Sequence, residues 1–231
     1  MIDPNKHKFL LVQILKDIYS DIQLSNSLGF KGGTALMFFY DLPRFSVDLD
    51  FNLLDKKQEN MVYNKVRKIL LKYGSIYDEA MKFYGPLVVL NYGHGERNLK
   101  VEISNRPFEN SYEIKNLLGI NIKVMVLEDM FAHKLCALLD RNSIANRDIF
   151  DCWFFLDKRT PVNKKIVESR MKMPIADYLQ KCIDLLESMS DQGLLQGLGE
   201  LMEDSMKKFV QKKMRIETIS LLKLYKEFPI L

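Results

Sequence analysis

Two short segments are the most informative part of the sequence, namely Lys31-Gly32-Gly33-Thr34-Ala35-Leu36 and, after a turn, Val47-Asp48-Leu49-Asp50-Phe51-Asn52-Leu53. An apolar run at 35–40 comes directly after the glycines, which predicts that the glycine pair lies at the start of a helix. The second segment alternates apolar and polar residues at the strand period of two. Both aspartates therefore project from one face of a predicted strand.

These residue types suit phosphate and metal chemistry. Two carboxylates at positions i and i+2 of a strand stand side by side, and Asp48 and Asp50 so placed match the oxygen ligands that Mg²⁺ prefers. The glycine pair at a helix start offers backbone N–H groups, and Thr34 a hydroxyl, to phosphate oxygens. A third acid on a neighbouring strand would complete a two-metal site, and our candidate is Glu102 in segment 99–104.

Each of these pieces also has an ordinary structural interpretation. A Gly-Gly-Thr sequence is commonly a turn, and a strand Asp-x-Asp is commonly a solvated face or a cap. Glu102 alone would be taken as a surface residue. The occurrence of all the pieces in one order within a short span is what favours a functional site.

Composition bounds the class of protein. The chain has 231 residues, of which 47% are hydrophobic and 28% charged, and this composition excludes disorder and fibrous repeats. The net charge of +4 is too small to indicate nucleic-acid binding by itself. The three cysteines have no metal-ligand spacing and fit reduced thiols in the cytoplasm. The opening residues do not resemble a cleavable signal, and no apolar run is long enough to cross a membrane.

Hydrophobic periodicity predicts an α+β fold. Helices are expected at 9–27 and 55–73, and strands at 87–92 and 99–104. From residue 126 the pattern becomes almost entirely helical, with helices expected at 127–140, 146–156, 175–188 and 194–210. We therefore expect an N-terminal part with a mixed sheet over 1–125, packed against a helical part over 126–231.

The two segments Lys31 to Leu36 and Leu42-Pro43-Arg44-Phe45-Ser46-Val47-Asp48-Leu49-Asp50-Phe51 resemble the AbiEii/AbiGii toxin family, a branch of the polymerase-beta-like nucleotidyltransferase superfamily. Two later segments resemble the family's helical lysine motif and its Arg-Asp-x-x-Asp motif. They are Glu128-Asp129-Met130-Phe131-Ala132-His133-Lys134-Leu135-Cys136-Ala137-Leu138-Leu139-Asp140-Arg141 and Arg147-Asp148-Ile149-Phe150-Asp151. The similarity spans about residues 28–156.

The resemblance implies a polymerase-beta-like core over 1–125 and a helical domain over 126–231 that contributes Lys134 and Asp148 to the site. It implies metal ligands, namely Asp48, Asp50 and Glu102, for a two-metal Mg²⁺ site. It implies nucleotide contacts from Gly32, Gly33, Thr34 and Lys134. The catalytic set it implies is Asp48, Asp50, Lys134 and Asp148.

For the last two residues, the pattern alone leaves alternatives open. Lys134 lies in an otherwise apolar helix and could extend from the edge of the core into water. Arg147 and Asp148 could form an ion pair at a helix start.

The activity implied by the resemblance is that of a type IV toxin–antitoxin toxin. Such an enzyme would transfer a nucleotidyl group from ATP, GTP, CTP or UTP to an RNA acceptor, the tRNA 3′ end, and release pyrophosphate. Its protein partner would be a separately encoded antitoxin, and no association with a membrane is expected. The alternatives are a small-molecule or protein hydroxyl as acceptor, or a catalytically silent module that keeps the nucleotide fold. The oligomeric state is not predicted.

Positive charge gathers in the last third of the chain. One cluster comprises Lys158, Arg159, Lys164, Lys165, Arg170 and Lys172, and the other comprises Lys207, Lys208, Lys212, Lys213 and Arg215. Such clusters are usually solvated helix faces, but they also suit the phosphate backbone of RNA. The sequence does not choose between the two.

Overall fold

A computed structural model describes residues 3–140 and 144–228. The chain divides into two compact units. One, here called the sheet unit, comprises Met1–Asp41 and Phe45–Met125. The other, the helical unit, comprises Val126–Leu231 together with the short segment Leu42–Arg44. This segment is therefore grouped with helices that lie far from it in sequence.

The sheet unit is a mixed sheet with helices, and it confirms the predicted α+β class. Its helices are α1 (Pro4–Ser20), α2 (Ile22–Ser27), α3 (Gly32–Phe39) and α4 (Glu59–Leu70), with a 3₁₀ turn at Lys56–Gln58. Its strands are β1 (Leu28–Lys31), β2 (Leu49–Leu53), β3 (Ser75–Lys82), β4 (Gly85–Asn91), β5 (Leu99–Ser104), β6 (Tyr112–Leu117) and β7 (Ile120–Met125). The strands of the described residues are ordered β3-β4-β5-β2-β1-β7-β6. The β2–β5 and β1–β7 pairs are parallel, and the others are antiparallel.

Strand register separates the core from the polar face of the sheet. Phe30 of β1 lies opposite Phe51 of β2, and both side chains are fully buried. Successive residues of a strand point to opposite faces. The same register therefore aligns three charged residues on the other face, namely Lys31, Asp50 and Glu102.

The prediction of one helix over 9–27 is wrong in one respect. The chain forms two helices there, because Asp21 interrupts the first and caps the second. The Asp21 carboxylate accepts hydrogen bonds from the backbone N–H groups of Gln23 and Leu24, at 2.9 and 3.1 Å. Its other oxygen lies 2.6 Å from Lys65 Nζ. A side chain that satisfies the N–H groups of a new helix start favours the break.

The strands at 87–92 and 99–104 are confirmed within two residues, and the helix at 55–73 begins with a 3₁₀ turn. Four strands were not predicted, namely β1, β3, β6 and β7. The first of them is short and runs directly into the glycine pair. The two at the edges of the sheet, β3 and β6, contain no buried side chain.

The helical unit contains α5 (Leu127–Ala137), α6 (Asn146–Asp157), α7 (Lys164–Met171), α8 (Ile175–Ser188), α9 (Asp204–Lys212) and α10 (Met214–Glu227), with a 3₁₀ turn at Gly199–Leu201. Three of the predicted helices are confirmed as α5, α6 and α8. The predicted helix over 194–210 is confirmed only in its second half, as α9, and is wrong before Asp204, because Gly193 and Gly197 adopt φ angles of +76° and +75° and the chain turns there. The prediction missed α7 and α10.

The three cysteines lie on α5, α6 and α8 and are buried as free thiols. Burial raises the pKa of Cys136 to about 11 and that of Cys182 to about 12, and it raises the pKa of Cys152 well above its ordinary value. Such thiols are unreactive, as expected for small core residues. Within 3–140 and 144–228, every helix is too short or too polar to cross a membrane.

The Asp21 cap leads to a stability prediction. Replacing Asp21 with Ala removes the acceptor for two N–H groups and should lower the free energy of unfolding by about 1 kcal/mol in urea denaturation. Asp21→Asn is the matched control, since it keeps a capping oxygen and loses only the charge that faces Lys65. It should lose less, and an equal loss in both variants would assign the effect to the ion pair.

Candidate active site

The predicted acid pair lies at the start of β2. Asp48 immediately precedes the strand, and Asp50 is its second residue. In the parallel pairing with β5, Asp50 lies directly opposite Glu102. Sequence reasoning could locate Glu102 only by its segment, and the register now places it beside Asp50.

Gly32 makes room for the Asp50 carboxylate. The register of β1 and β2 pairs Lys31 with Asp50, so the next residue, the first of α3, meets the Asp50 side chain. A Cβ atom added at Gly32 would overlap Asp50 Oδ2. Gly32 also has a φ of +82°, a conformation that residues with a side chain rarely adopt. Glycine is therefore favoured at position 32 for both a conformational and a steric reason.

Thr34 stabilises the segment that carries Asp48. Its Oγ1 donates a 2.5 Å hydrogen bond to the backbone carbonyl oxygen of Asp48 and lies 3.0 Å from Ser46 Oγ. The Thr34 side chain is fully buried. Its hydroxyl is therefore committed to the protein, and a contact of Thr34 with a nucleotide would come from its backbone N–H.

The N-terminal turn of α3 offers such backbone groups. Gly33 is the second residue of the helix and is buried, and Thr34 is the third. Among the described residues, no side chain caps this turn from the N-cap position, Lys31. The first N–H groups of a helix have no partner within the helix and are a favourable place for an anion.

Lys100, on β5, lies among the three carboxylates. Its Nζ atom is 3.1 Å from Glu102 Oε2 and 3.6 Å from Asp48 Oδ2. Burial raises the pKa of Asp50, Lys100 opposes this shift, and the charges of Asp48 and Glu102 add to it. For Glu102, burial acts to raise the pKa, but Lys100 outweighs it and the pKa is lowered. Sequence reasoning assigned Lys100 no role.

The donor set fits a divalent cation. Asp48 and Asp50 supply hard carboxylate oxygens, and burial together with neighbouring negative charge disfavours the ionised form of Asp50, which a bound cation would relieve. In the part of the chain that the structure describes, no three His, Cys, Asp or Glu side chains are grouped closely enough to hold a metal ion on their own. Mg²⁺ is commonly bound by one or two carboxylates together with substrate phosphates, so the pair suffices. The role of Glu102 as a third ligand stays a prediction.

The helical unit brings Lys134 and Asp148 together in a second group of charges. Lys134 Nζ, from α5, is 2.7 Å from Asp151 Oδ2 and 3.4 Å from Asp148 Oδ1, both on α6. Asp151 also accepts two hydrogen bonds from Arg44, from Nε to Oδ1 at 2.7 Å and from Nη2 to Oδ2 at 2.8 Å. We call these four residues the buried charge cluster. Arg141, which the resemblance also quoted, lies outside the described residues.

Pairing fixes the ionisation of this cluster. Burial acts to raise the pKa of Asp151, but Arg44 and Lys134 outweigh it and hold the pKa at about 2. Burial acts to lower the pKa of Lys134, but Asp151 and Asp148 outweigh it and raise the pKa. Arg44 and Asp151 each belong to a motif quoted in the sequence analysis, and the three-residue spacing of Asp148 and Asp151 places both on one helix face. The contact between Arg44 and Asp151 joins residues 107 positions apart, which no local pattern indicates.

Comparison with solved structures supports the fold. The crystal structure of JHP933 from Helicobacter pylori matches with a TM-score of 0.58 at 20% identity, covering 98% of this chain and 94% of that chain. MenT4, a nucleotidyltransferase toxin from Mycobacterium tuberculosis, matches with a TM-score of 0.64 at 17% identity, covering 95% of this chain and 84% of that chain. At such identities the likeness shows a shared fold. Comparison with curated proteins gives no significant match.

The family is shown by the sequence itself. Residues 13–218 match the family described as nucleotidyl transferase AbiEii toxin, type IV TA system. The chain belongs to this family and is a nucleotidyltransferase toxin. Membership confirms the resemblance found from the short motifs, and it implies a nucleoside triphosphate substrate and an antitoxin partner.

The contact at Gly32 leads to a prediction. Gly32→Ala should lower the free energy of unfolding by more than the roughly 1–2 kcal/mol expected for a left-handed backbone alone, because the new methyl group must also displace Asp50. Gly119→Ala is the matched control, since Gly119 has a φ of +85° with no atom near its added Cβ. Equal losses in urea denaturation would show that Asp50 moves aside at no cost.

The lowered pKa of Asp151 predicts a pH dependence of stability. Because the folded pKa of about 2 lies below the unfolded value, this residue stabilises the fold above about pH 4, and the contribution is lost as the pH falls towards 2. Asp151→Asn should cost about 3–5 kcal/mol at pH 7 and flatten the dependence between pH 4 and 2. Urea denaturation across this range is the measurement. Asp191→Asn, which removes an exposed carboxylate paired with Arg215, should change little, and similar losses in both variants would contradict the assignment.

Proposed function

We propose that the protein transfers a nucleotidyl group from a nucleoside triphosphate to a hydroxyl of RNA, the 3′ end of tRNA, with Mg²⁺ held by Asp48 and Asp50. One observation carries the proposal. The two carboxylates stand at the start of β2, and Asp50 contacts Gly32 at the first turn of α3. A metal-binding pair and a phosphate-binding helix start are thus adjacent within one unit.

The protein groups have distinct tasks in this proposal. The N–H groups at the start of α3, from Gly33 and Thr34, bind phosphate oxygens of the nucleotide. Lys134 is our candidate for contacting the triphosphate as a compact point charge. Mg²⁺, when bound, would neutralise the charge of the phosphates and favour ionisation of the attacking hydroxyl. Asp148 stays a predicted assisting residue.

The reaction balances as a substitution at phosphorus. The oxygen of the acceptor hydroxyl forms a bond to the α-phosphorus, and the bond from that phosphorus to the oxygen bridging the β-phosphate breaks. Pyrophosphate leaves with the bonding electron pair, and the hydroxyl proton passes to water. Such a displacement needs mainly positioning and charge neutralisation, which fixed carboxylates and backbone N–H groups supply.

An RNA acceptor agrees with the exposed lysines of the last third. Lys208, Lys212 and Lys213 are exposed, whereas Lys207 is paired with Asp204 and Arg215 with Asp191. The exposed lysines suit phosphates of a polynucleotide. A cytoplasmic location and a separately encoded antitoxin complete the proposal.

Labelled nucleotides test the acceptor. The protein is incubated with Mg²⁺, total RNA and each of the four triphosphates labelled at the α-phosphate, and the labelled species is then identified. We expect label on RNA of tRNA size, removable from the 3′ end. Label on a small molecule or a protein would keep the activity and overturn the acceptor.

The metal assignment predicts the effect of two substitutions. Asp48→Asn and Asp50→Asn should each reduce nucleotide incorporation at least about a hundredfold, because the charge that holds Mg²⁺ is halved. The circular dichroism spectrum of each variant should match that of the wild type, which would show that the fold is retained. Asp78→Asn is the control, since Asp78 is an exposed carboxylate on β3 of the same sheet. Incorporation at the wild-type rate by purified Asp48→Asn protein would show that the metal is held elsewhere.

A further inference from the structure

Two members of the buried charge cluster have no role in the proposed function. The Arg44 side chain is 4% exposed and that of Asp151 is 0% exposed, and they form a two-point ion pair. Burying such a pair costs solvation energy, and it is often no more stabilising than an apolar pair. Stability alone therefore does not explain why the Arg44–Asp151 ion pair lies beside Lys134.

The geometry links Arg44 to Lys134 through a single atom. Asp151 Oδ2 accepts a hydrogen bond from Arg44 Nη2 at 2.8 Å and lies 2.7 Å from Lys134 Nζ. The guanidinium holds the carboxylate at two points, which fixes the plane of the carboxylate. That carboxylate in turn fixes the position of the ammonium, which a flexible four-carbon stem would otherwise leave free to move.

The members of the buried charge cluster differ in solvent exposure. The Lys134 side chain is 19% exposed, whereas those of Asp148 and Asp151 are fully buried. Lys134 is therefore the member with the most access to an incoming anion. Asp148 and Asp151, which contact its ammonium, are fully buried, and Arg44 contacts Asp151.

Charge balance gives Arg44 a second task. Without it, Lys134 would share a buried site with two carboxylates, and the group would be net negative and would repel a triphosphate. The Arg44 charge makes the cluster neutral. It also engages both oxygens of Asp151, so less of that negative charge acts on Lys134.

We propose that Arg44 and Asp151 are positioning residues that hold Lys134 in place and in charge balance for binding the triphosphate. The inference rests on the proposed role of Lys134. Arg44 belongs to the helical unit as part of the segment Leu42–Arg44. The competing explanation is purely structural, in which Arg44 only anchors this segment to α6.

A double-mutant cycle separates the two explanations. Dissociation constants for ATP, GTP, CTP and UTP with Mg²⁺ are measured by calorimetry, and the nucleotide that binds tightest to the wild type is followed. Arg44→Gln and Lys134→Gln should each raise the dissociation constant about tenfold or more. The double variant should bind no more weakly than Lys134→Gln alone, because Arg44 acts through Lys134.

Each other outcome has a defined meaning. If Arg44→Gln weakens binding equally with and without Lys134, it does not act through that residue and the positioning role is overturned. If Lys134→Gln binds like the wild type, or if none of the four nucleotides binds the wild type, the proposed function fails at this step and the inference falls with it.

Arg215→Gln is the matched control in the same unit. Arg215 makes a two-point ion pair with Asp191, at 2.6 and 3.2 Å, and neither residue belongs to the buried charge cluster. This variant should bind the nucleotide like the wild type, and weakened binding here would show that loss of any such pair has the same effect.

Arg44→Gln leaves Asp151 short of a partner and can fail to fold, so a second variant keeps the test decisive. In the paired replacement Arg44→Met with Asp151→Leu, two apolar side chains replace the ion pair, which proteins commonly tolerate without loss of stability. We expect a folded protein with a melting temperature near that of the wild type and a dissociation constant raised about tenfold. Wild-type affinity in this folded protein would overturn the proposal.

Discussion

The site depends on the contact between Gly32 and the Asp50 carboxylate. Antiparallel pairing of β1 with β2 sets Lys31 opposite Asp50, and the chain must then turn into α3 against the carboxylate. Only a residue without a side chain fits there, and only such a residue readily adopts the φ angle of +82°. One backbone position thus joins the acid pair to the start of a helix, and the phosphate and metal chemistry that we propose for the sheet unit depends on it.

Both units place a lysine among carboxylates, but in different ways. In the sheet unit, Lys100 lies 3.1 Å from Glu102 and 3.6 Å from Asp48, and the carboxylates outnumber it. Such an excess of negative charge favours a further cation. In the helical unit, Arg44 balances the two aspartates around Lys134. The first arrangement suits a metal ion, whereas in the second the charges of two cations and two carboxylates cancel.

The sequence was informative where short-range chemistry decides the structure. The glycine pair was correctly placed at a helix start and Asp50 on a strand, while Asp48, predicted within that strand, lies directly before it. The helical period over 146–156 correctly placed Asp148 and Asp151 on one helix. The sequence was uninformative where distant contacts decide, as in the pairing of Arg44 with Asp151 and the position of Lys100. The hydroxyl of Thr34 shows a related limit, because the pattern indicated a hydroxyl near phosphates but not that Asp48 would accept its hydrogen bond. Edge strands and the turns at Gly193 and Gly197 were missed since exposed or irregular backbone leaves little hydrophobic period.

Asp48 and Asp50 are the residues proposed to hold a divalent cation. Crystals grown with Mn²⁺ and a non-hydrolysable nucleoside triphosphate test this proposal, because the anomalous scattering of manganese locates the ion. We expect an anomalous peak within about 2.0–2.3 Å of a carboxylate oxygen of each aspartate, the range of oxygen bonds to small divalent cations. A peak elsewhere in the protein, or nucleotide bound with no peak at this pair, would contradict it.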